Sequence, residues 1–168
     1  GLEIETFCEK VGPHGKVYAI EPNPDCCRRL KKLQQILNLN NLVILQYAIG
    51  ENEEDLILSN SENSIESQII NEDVTNNKEH FKVNQISFDK IIKQYEIKKI
   101  DYVKVNIEGY ETNFLEGYRY LQPKVKNFCI GCHDFLSPPK KTFDIVKSWL
   151  IKNDYQINFY KNYKKLEI

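Results

Sequence analysis

Side chains that could do acid–base chemistry follow several short apolar runs of this sequence. Glu21 follows VYAI, Asn106 and Glu108 follow YVKV, and His133 and Asp134 follow FCIGC. A carboxylate at such a position can accept hydrogen bonds from the hydroxyls of a ribose, and an imidazole can act as a general base near neutral pH. An amide cannot act as a base, although it can orient a ligand. Whether these side chains meet depends on the strands and helices that carry them.

Apolar runs and helical periodicities alternate along the chain. We expect strands at 16–22, 41–50, 100–107 and 126–135, and helices at 4–11, 23–38, 88–97, 111–122 and 137–155. Asn23 is the expected N-cap of the second helix, with Pro24 at its first position. We expect 54–60 and 80–87 to pair as an antiparallel hairpin, and 156–168 to close the chain as one strand or a hairpin.

Alternating strands and helices predict an α/β fold with a mostly parallel sheet. The strands are near-continuous apolar runs, which is typical of strands covered by helices on both faces. Ligands bind outside the carboxyl ends of the strands in such sheets, so the polar groups should line one rim. The segment 51–82 is rich in Asn, Glu and Ser, and it is either a long loop near a ligand site or a disordered insertion.

Composition excludes several classes of protein. The chain has 168 residues, which is about one domain, and a formal net charge of -1, so we expect no nucleic-acid or membrane partner. Its apolar runs are far shorter than the ~20 residues of a membrane span. The five cysteines are not a disulfide framework for a chain of this size, so we expect reduced thiols and a cytoplasmic location.

Each candidate residue also has an ordinary structural explanation. Glu21 could be a solvated turn residue, but its place at a strand end favours a ribose-binding role. Glu111 is better explained as a favourable charge in the first turn of a helix, whereas Glu108 is better explained as a site residue. His133 lies beside Asp134 at a strand end, so it is a candidate general base. A purely structural role for this histidine is the alternative.

The sequence CIGCH at 129–133 matches the pattern of c-type haem attachment. Haem attachment needs both thiols within reach beside a large apolar slot, whereas this motif ends an apolar strand. The chain also has no methionine that could serve as a second axial ligand. A zinc site would need a second pair of ligands at suitable spacing. Glu108, His133 and Asp134 could also hold a metal ion, but we predict neither haem nor a metal.

Four segments together resemble the FkbM family of S-adenosylmethionine-dependent methyltransferases: GKVYAIEPNP, YAIG, IDYVKVNIEGYETNFLEG and CIGCHDF. The resemblance runs over essentially the whole chain and in the same order. It implies a Rossmann-like class I methyltransferase sheet, mostly parallel, with S-adenosyl-L-methionine as the cofactor. It also implies O-methylation of a small-molecule or glycan acceptor, at a hydroxyl on a sugar or another small metabolite.

The same resemblance assigns roles to individual residues. Those assigned to cofactor binding are Gly1, Glu21, Asn23, Gln46, Tyr47, Ala48 and Asn106. Glu21 becomes the ribose-binding acid, and Gln46 to Ala48 lie near the adenine. Those assigned to catalysis are Glu108, His133 and Asp134, with either Glu108 or His133 as the base.

Two departures from the family pattern have consequences. Many relatives have Asp where this chain has Asn106. The first strand and glycine-rich turn of the family are also absent, so Gly1 is expected to be the last residue of that turn. We therefore expect a single methyltransferase domain over 1–168, truncated at its N-terminus and apparently lacking that strand, with a polar insertion at about 51–82.

Two other functions stay open. A nicotinamide-dependent oxidoreductase would use Glu21 equally well, because its cofactor also carries a ribose. A non-catalytic nucleotide-binding relative would explain Asn106 as the loss of a base. The sequence does not predict the oligomeric state.

Overall fold

Helices and strands alternate through the computed structural model, which describes residues 3–60, 67–69, 80–120, 122–133 and 142–158. The described helices are α1 (Ile4–Val11), α2 (Pro24–Ile36), α3 (Phe88–Gln94), α4 (Glu111–Glu116) and α5 (Thr142–Lys152). The described strands are β1 (Val17–Ile20), β2 (Leu42–Leu45), β3 (Ala48–Ile49), β4 (Asp55–Asn60), β5 (Ser67–Ile69), β6 (His80–Ile86), β7 (Val103–Val105) and β8 (Phe128–Ile130). The predictions for Gly1, Asp134, 137–141 and 159–168 lie outside these ranges.

Within these ranges the strands form three small sheets. Strands β1 and β2 run parallel, with Val17 opposite Leu42, and β7 and β8 run parallel, with Val103 opposite Phe128. The third sheet has the order β3-β6-β4-β5. The predicted α/β fold with parallel strand pairs is therefore confirmed, but the described residues do not show a continuous Rossmann-like sheet.

The strand expected at 41–50 is in fact two strands with different partners. Strand β2 pairs with β1, and β3 pairs with β6. The break follows Leu45, whose carbonyl oxygen accepts hydrogen bonds from Glu21 N at 3.0 Å and from Tyr47 N at 3.2 Å. The bond from Tyr47 spans only two residues, so it closes a tight turn that one continuous strand could not contain.

The predicted pairing of 54–60 with 80–87 is confirmed. Strands β4 and β6 are antiparallel over five residue pairs, and β5 lies along the other edge of β4. Leu58 and Val83 are buried and pack with Ala48 of β3, which joins this hairpin to the rest of the fold. Strand β5 lies within the segment expected to be a loop or an insertion, and the other residues between β4 and β6 lie outside the described ranges.

Helix α2 begins where the sequence predicts. Asn23 Oδ1 accepts hydrogen bonds from Asp25 N at 2.8 Å and from Cys26 N at 3.3 Å, and Pro24 is the first helical residue. These bonds satisfy N–H groups that the start of a helix otherwise leaves without partners. Cys27 and Leu30 are the buried residues of this helix.

Four of the described helices, α2 to α5, end earlier than their periodicity predicts. Helix α4 ends before Gly117, which lies so close to Gly50 that a β-carbon on it would be 2.1 Å from the Gly50 carbonyl oxygen. Helix α3 ends before Tyr95, and Glu96 takes a left-handed conformation with φ 49°. None of the described helices is both long enough and apolar enough to cross a membrane.

An aromatic cluster joins α3, α4, β8 and α5 into the main core. The Phe88 ring lies 5.1 Å from Phe114 and 5.2 Å from Tyr118, and Phe128 meets Trp149 edge to face at 6.1 Å. Such aromatic pairs contribute about 0.5–1.5 kcal/mol beyond the area that they bury. These contacts place Phe114 of α4 and Trp149 of α5 on the faces that pack into the core.

Helix α1 contacts both parallel strand pairs. Cys8 is buried in a cluster with side chains of β1 and β2. Towards β7, the Phe7 ring lies 5.6 Å from Tyr102, and Glu3 forms an ion pair with Lys104. The two pairs are therefore linked through one helix.

Replacing Tyr118 by Phe should lower the free energy of unfolding by about 1–3 kcal/mol. The Tyr118 hydroxyl donates to Pro123 O at 2.6 Å and accepts from the buried Val125 N at 3.1 Å, and both groups would lose a partner. Urea unfolding followed by circular dichroism measures the change. Tyr120→Phe is the matched control, because Tyr120 is 78% exposed, and it should change stability by less than about 0.5 kcal/mol. Equal effects of the two variants would contradict a structural role for the Tyr118 hydroxyl.

Candidate active site

Between β7 and α4 the chain makes a turn that contains two left-handed residues. Glu108 has a φ of 51° and Gly109 a φ of 96°. Glycine adopts positive φ readily, whereas for Glu108 this conformation costs about 1–2 kcal/mol. Strained residues cluster at binding and catalytic sites, where the surrounding contacts hold them in place. The turn follows the carboxyl end of β7, where the predicted polar groups were expected to gather.

Glu111, the first residue of α4, holds this turn. Its Oε1 accepts hydrogen bonds from Ile107 N at 3.3 Å and from Gly109 N at 3.4 Å. The residue is 0% exposed. Removing a carboxylate from water costs several kcal/mol, so these donors are needed to offset the penalty.

His133 is a third partner of the same carboxylate oxygen. Its Nδ1 lies 2.6 Å from Glu111 Oε1, and its Nε2 lies 3.5 Å from Glu108 Oε2. Strand β8 brings the ring to this position, because Gly131 N donates to Val105 O at 2.8 Å and keeps the ends of β7 and β8 side by side. The imidazole therefore lies between two carboxylates, with only 14% of its side chain exposed.

Asn106 completes the row of polar contacts at this rim. Its Nδ2 donates to Glu108 Oε1 at 3.2 Å. An ionised aspartate could not make this donation, so the amide suits the neighbouring carboxylate. Gly131 leaves room for the Asn106 side chain, because a β-carbon on residue 131 would lie 2.7 Å from Asn106 Oδ1. The contacts run from Asn106 through Glu108 and His133 to Glu111.

Three of the predicted site residues are thus brought together, namely Asn106, Glu108 and His133. They come from two neighbouring parallel strands and the turn after β7, as the rule for ligand sites in such sheets predicts. Asp134, predicted beside His133, lies outside the described residues.

Glu111 is the acidic residue in the first turn of α4, as expected, but it is also buried and contacts His133. The sequence held a signal for this, because Glu111 precedes Phe114 by three residues and Leu115 by four. That spacing places Glu111 on the apolar face of the helix, where a carboxylate must have partners.

Glu21 lies at the end of β1, beside the end of β2. Its N–H donates to Leu45 O at 3.0 Å, and its Oε1 accepts from Asn23 N at 2.9 Å. Burial raises the pKa of the Glu21 carboxyl above its ordinary value, and the bond from Asn23 lowers it by less. A carboxylate has more acceptor sites than the one that Asn23 occupies, so its chemistry suits a ligand with neighbouring hydroxyls.

The residues predicted to lie near an adenine have different surroundings. Gln46 is exposed at the end of β2, and Tyr47 is half-buried against the cluster of Leu45 and Ile86. Ala48 is buried, and its side chain belongs to the core. Ala48 can therefore offer a ligand only its main chain, whereas Gln46 and Tyr47 can offer side chains.

Two clefts open elsewhere on the described surface. One, of about 400 Å³, lies between α4 and α5 and includes Leu115 and Trp149. The other, of about 320 Å³, includes Tyr47 and Lys90. Neither cleft is lined by Glu21, Glu108, Glu111 or His133.

The sequence matches the family described as the methyltransferase FkbM domain over residues 3–157. The chain belongs to this family. No curated protein and no solved structure matches it. The match confirms the resemblance drawn from the sequence and supports a methyltransferase, which speaks against the nicotinamide-dependent alternative.

In this FkbM domain the CIGCH motif begins on β8 and ends at His133. Cys129 is exposed on β8, Cys132 is half-buried, and neither is in a disulfide. The histidine of the motif contacts Glu111. Across the described ranges, no group of three or more His, Cys, Asp or Glu residues is arranged to hold a metal ion.

Replacing Glu21 by Gln in the FkbM domain should raise the free energy of unfolding near neutral pH. Burial raises the folded-state pKa of Glu21, so the folded chain holds this proton more tightly than the unfolded chain. The free energy of unfolding therefore falls as pH rises from the ordinary pKa of 4.5 through the raised folded-state pKa. Below pH 4.5 the carboxyl is protonated and this penalty is absent. Urea unfolding of both proteins at neutral pH and below pH 4.5 measures the difference.

The control for this test is Glu9→Gln on the exposed side of α1. It should not stabilise the chain at neutral pH, because an exposed carboxylate keeps its hydration. If Glu21→Gln were less stable than the native chain at neutral pH, the Glu21 carboxylate would be a stabilising group and not a desolvated one.

Proposed function

We propose that this FkbM domain transfers a methyl group from S-adenosylmethionine to a hydroxyl oxygen of a sugar or another small metabolite. The observation that carries the proposal is the position of His133, with Nδ1 on Glu111 and Nε2 beside Glu108. A hydroxyl acceptor must lose its proton when it becomes a methyl ether. An imidazole at the carboxyl ends of parallel strands is suited to accept that proton.

The strand pairs β1–β2 and β7–β8 are proposed to belong to one Rossmann-like class I sheet. Both pairs are parallel, and both end in polar groups. Helix α1 supports the proposal because it contacts both pairs, through Cys8 on one side and through Phe7 and Tyr102 on the other. The first strand and glycine-rich turn of such a sheet are not among the described residues.

The end of β1 fits the ribose of the cofactor. Glu21 offers a carboxylate already oriented by Asn23, and Gln46 and Tyr47 follow the neighbouring strand, where the adenine is expected. When bound, S-adenosylmethionine supplies an electrophilic methyl group on a sulfonium. The cofactor-binding roles of Gly1, Ala48 and Asn106 stay predictions, with Ala48 limited to its main chain.

The catalytic contribution of the chain is alignment and proton removal. His133 is the proposed base, and Glu108 lies beside Nε2, where it can orient a hydroxyl and stabilise the charged ring. A positioned base of this kind contributes about 10²–10⁴-fold to the rate, and alignment of the acceptor contributes further. Asp134 keeps its predicted role beside His133.

A cytoplasmic location without nucleic-acid or membrane partners is proposed with this activity. None of the five cysteines is in a disulfide, which suits a reducing compartment. The net charge of -1 gives no general attraction to polyanions.

Calorimetric titration with S-adenosylhomocysteine tests the class of cofactor. The chain should bind this product, and Glu21→Ala should weaken binding roughly 10- to 100-fold, because hydrogen bonds to a charged group contribute about 1.5–3 kcal/mol. Glu9→Ala, an exposed change on α1, should bind like the native chain. Binding of NAD without binding of S-adenosylhomocysteine would contradict the proposed cofactor.

Replacing His133 by Ala should lower the rate of methyl transfer about 10²–10⁴-fold while leaving the affinity for S-adenosylhomocysteine nearly unchanged. The assay follows a labelled methyl group from S-adenosylmethionine into glucose, galactose, mannose and rhamnose. His14→Ala is the control, because His14 is exposed in the turn after α1. Cofactor binding without transfer to any of these sugars would contradict sugar O-methylation and favour the non-catalytic relative.

A further inference from the structure

We infer that Glu111 is a positioning residue that fixes the His133 ring with its proton on Nδ1, so that Nε2 carries the lone pair. The effect on rate rests on the proposed function, but the state of the ring does not. Glu111 touches neither cofactor nor acceptor in this proposal, and it acts only through His133.

The location of the ring proton follows from the donors around Glu111 Oε1. This oxygen already accepts from Ile107 N and Gly109 N, so it faces the ring as an acceptor. A distance of 2.6 Å between Nδ1 and an acceptor requires a proton on Nδ1, because two lone pairs would repel at this separation. Nδ1 is also the donor if Glu111 is protonated, because the proton of the carboxyl would then lie on Oε2, which has no hydrogen-bond partner among the described residues.

The orientation of the ring follows from the burial of Glu111. The carboxylate is 0% exposed and is tied to two backbone N–H groups of one turn, so it has little freedom to move. The ring bound to it is also largely buried and points its other nitrogen toward Glu108 Oε2 at 3.5 Å. In a neutral ring with Nδ1 protonated, this other nitrogen is the one able to take a proton from a hydroxyl.

A purely structural role for Glu111 makes a different prediction. As a cap of the turn, it would need only an oxygen for the N–H groups of Ile107 and Gly109, and losing it would damage any activity to the same extent with or without His133. As a positioning residue, it should affect the rate only while His133 is present, because the two residues act as one unit.

The first arm of the test is ¹⁵N NMR of the imidazole rings at alkaline pH, without cofactor or acceptor. The chain has three histidines, and the spectrum of His133→Ala identifies the signals of His133. The native chain should show His133 protonated on Nδ1. Glu111→Met, which keeps the length of the side chain but removes the acceptor, should lose this preference. Glu116→Gln, an exposed change at the end of α4, should leave the spectrum unchanged.

The second arm is a double-mutant cycle on methyl transfer. Glu111→Met should slow the reaction about 10²–10⁴-fold in the native chain, because the base is no longer held in its active state, and should cause no further loss in His133→Ala. If Glu111→Met does not fold, Glu111→Gln replaces it, because its amide oxygen can still accept from the turn. Glu111→Gln should also slow the reaction only while His133 is present, since a neutral oxygen stabilises the charged ring less than a carboxylate does.

The two arms separate this inference from the proposed function. A native His133 protonated on Nε2 overturns the positioning role whatever the activity. Equal losses from the Glu111 change with and without His133 also overturn it and assign Glu111 to the turn alone. A native ring protonated on Nδ1 in a chain that transfers no methyl group supports the positioning of the ring and overturns the proposed activity.

Discussion

The buried carboxylate of Glu111 is the constraint on which the described site depends. A charged group without solvent contact is tolerated only if the protein supplies donors, and here three donors converge on one oxygen. Two of them belong to the turn that holds Glu108 in a left-handed conformation, and the third is the His133 ring. One desolvated group therefore fixes the shape of the turn, the start of α4 and the orientation of the imidazole together.

A row of polar contacts ends at this carboxylate. Asn106 donates to Glu108, whose other oxygen faces His133, and His133 donates to Glu111. An aspartate in place of Asn106 would set two like charges against each other and remove a donor. The amide, which seemed from the sequence to be a departure that weakens the site, is the partner that the neighbouring carboxylate requires.

Local signals predicted the parts of the fold that local interactions control. The N-cap at Asn23 and the pairing of β4 with β6 could be predicted, because a cap and an alternating apolar pattern each involve residues that are close together in the sequence. The end of α4 and the break after Leu45 were missed, because they depend on distant contacts. A close approach of Gly117 to Gly50 and a hydrogen bond from Glu21 to Leu45 decide them.

The sequence by itself determined the family, the α/β alternation and the polar residues that follow each strand, since these are properties of residue type and order. It could not determine that Glu111 belongs with His133, although the helical spacing from Phe114 placed this carboxylate on an apolar face. Only the tertiary structure decided that pairing. The physical reason is that the parallel register of β7 and β8 pairs Val105 with Ile130, and Gly131 N donates to Val105 O. This brings the residues after β8 to the first turn of α4, where the buried charge needs a donor.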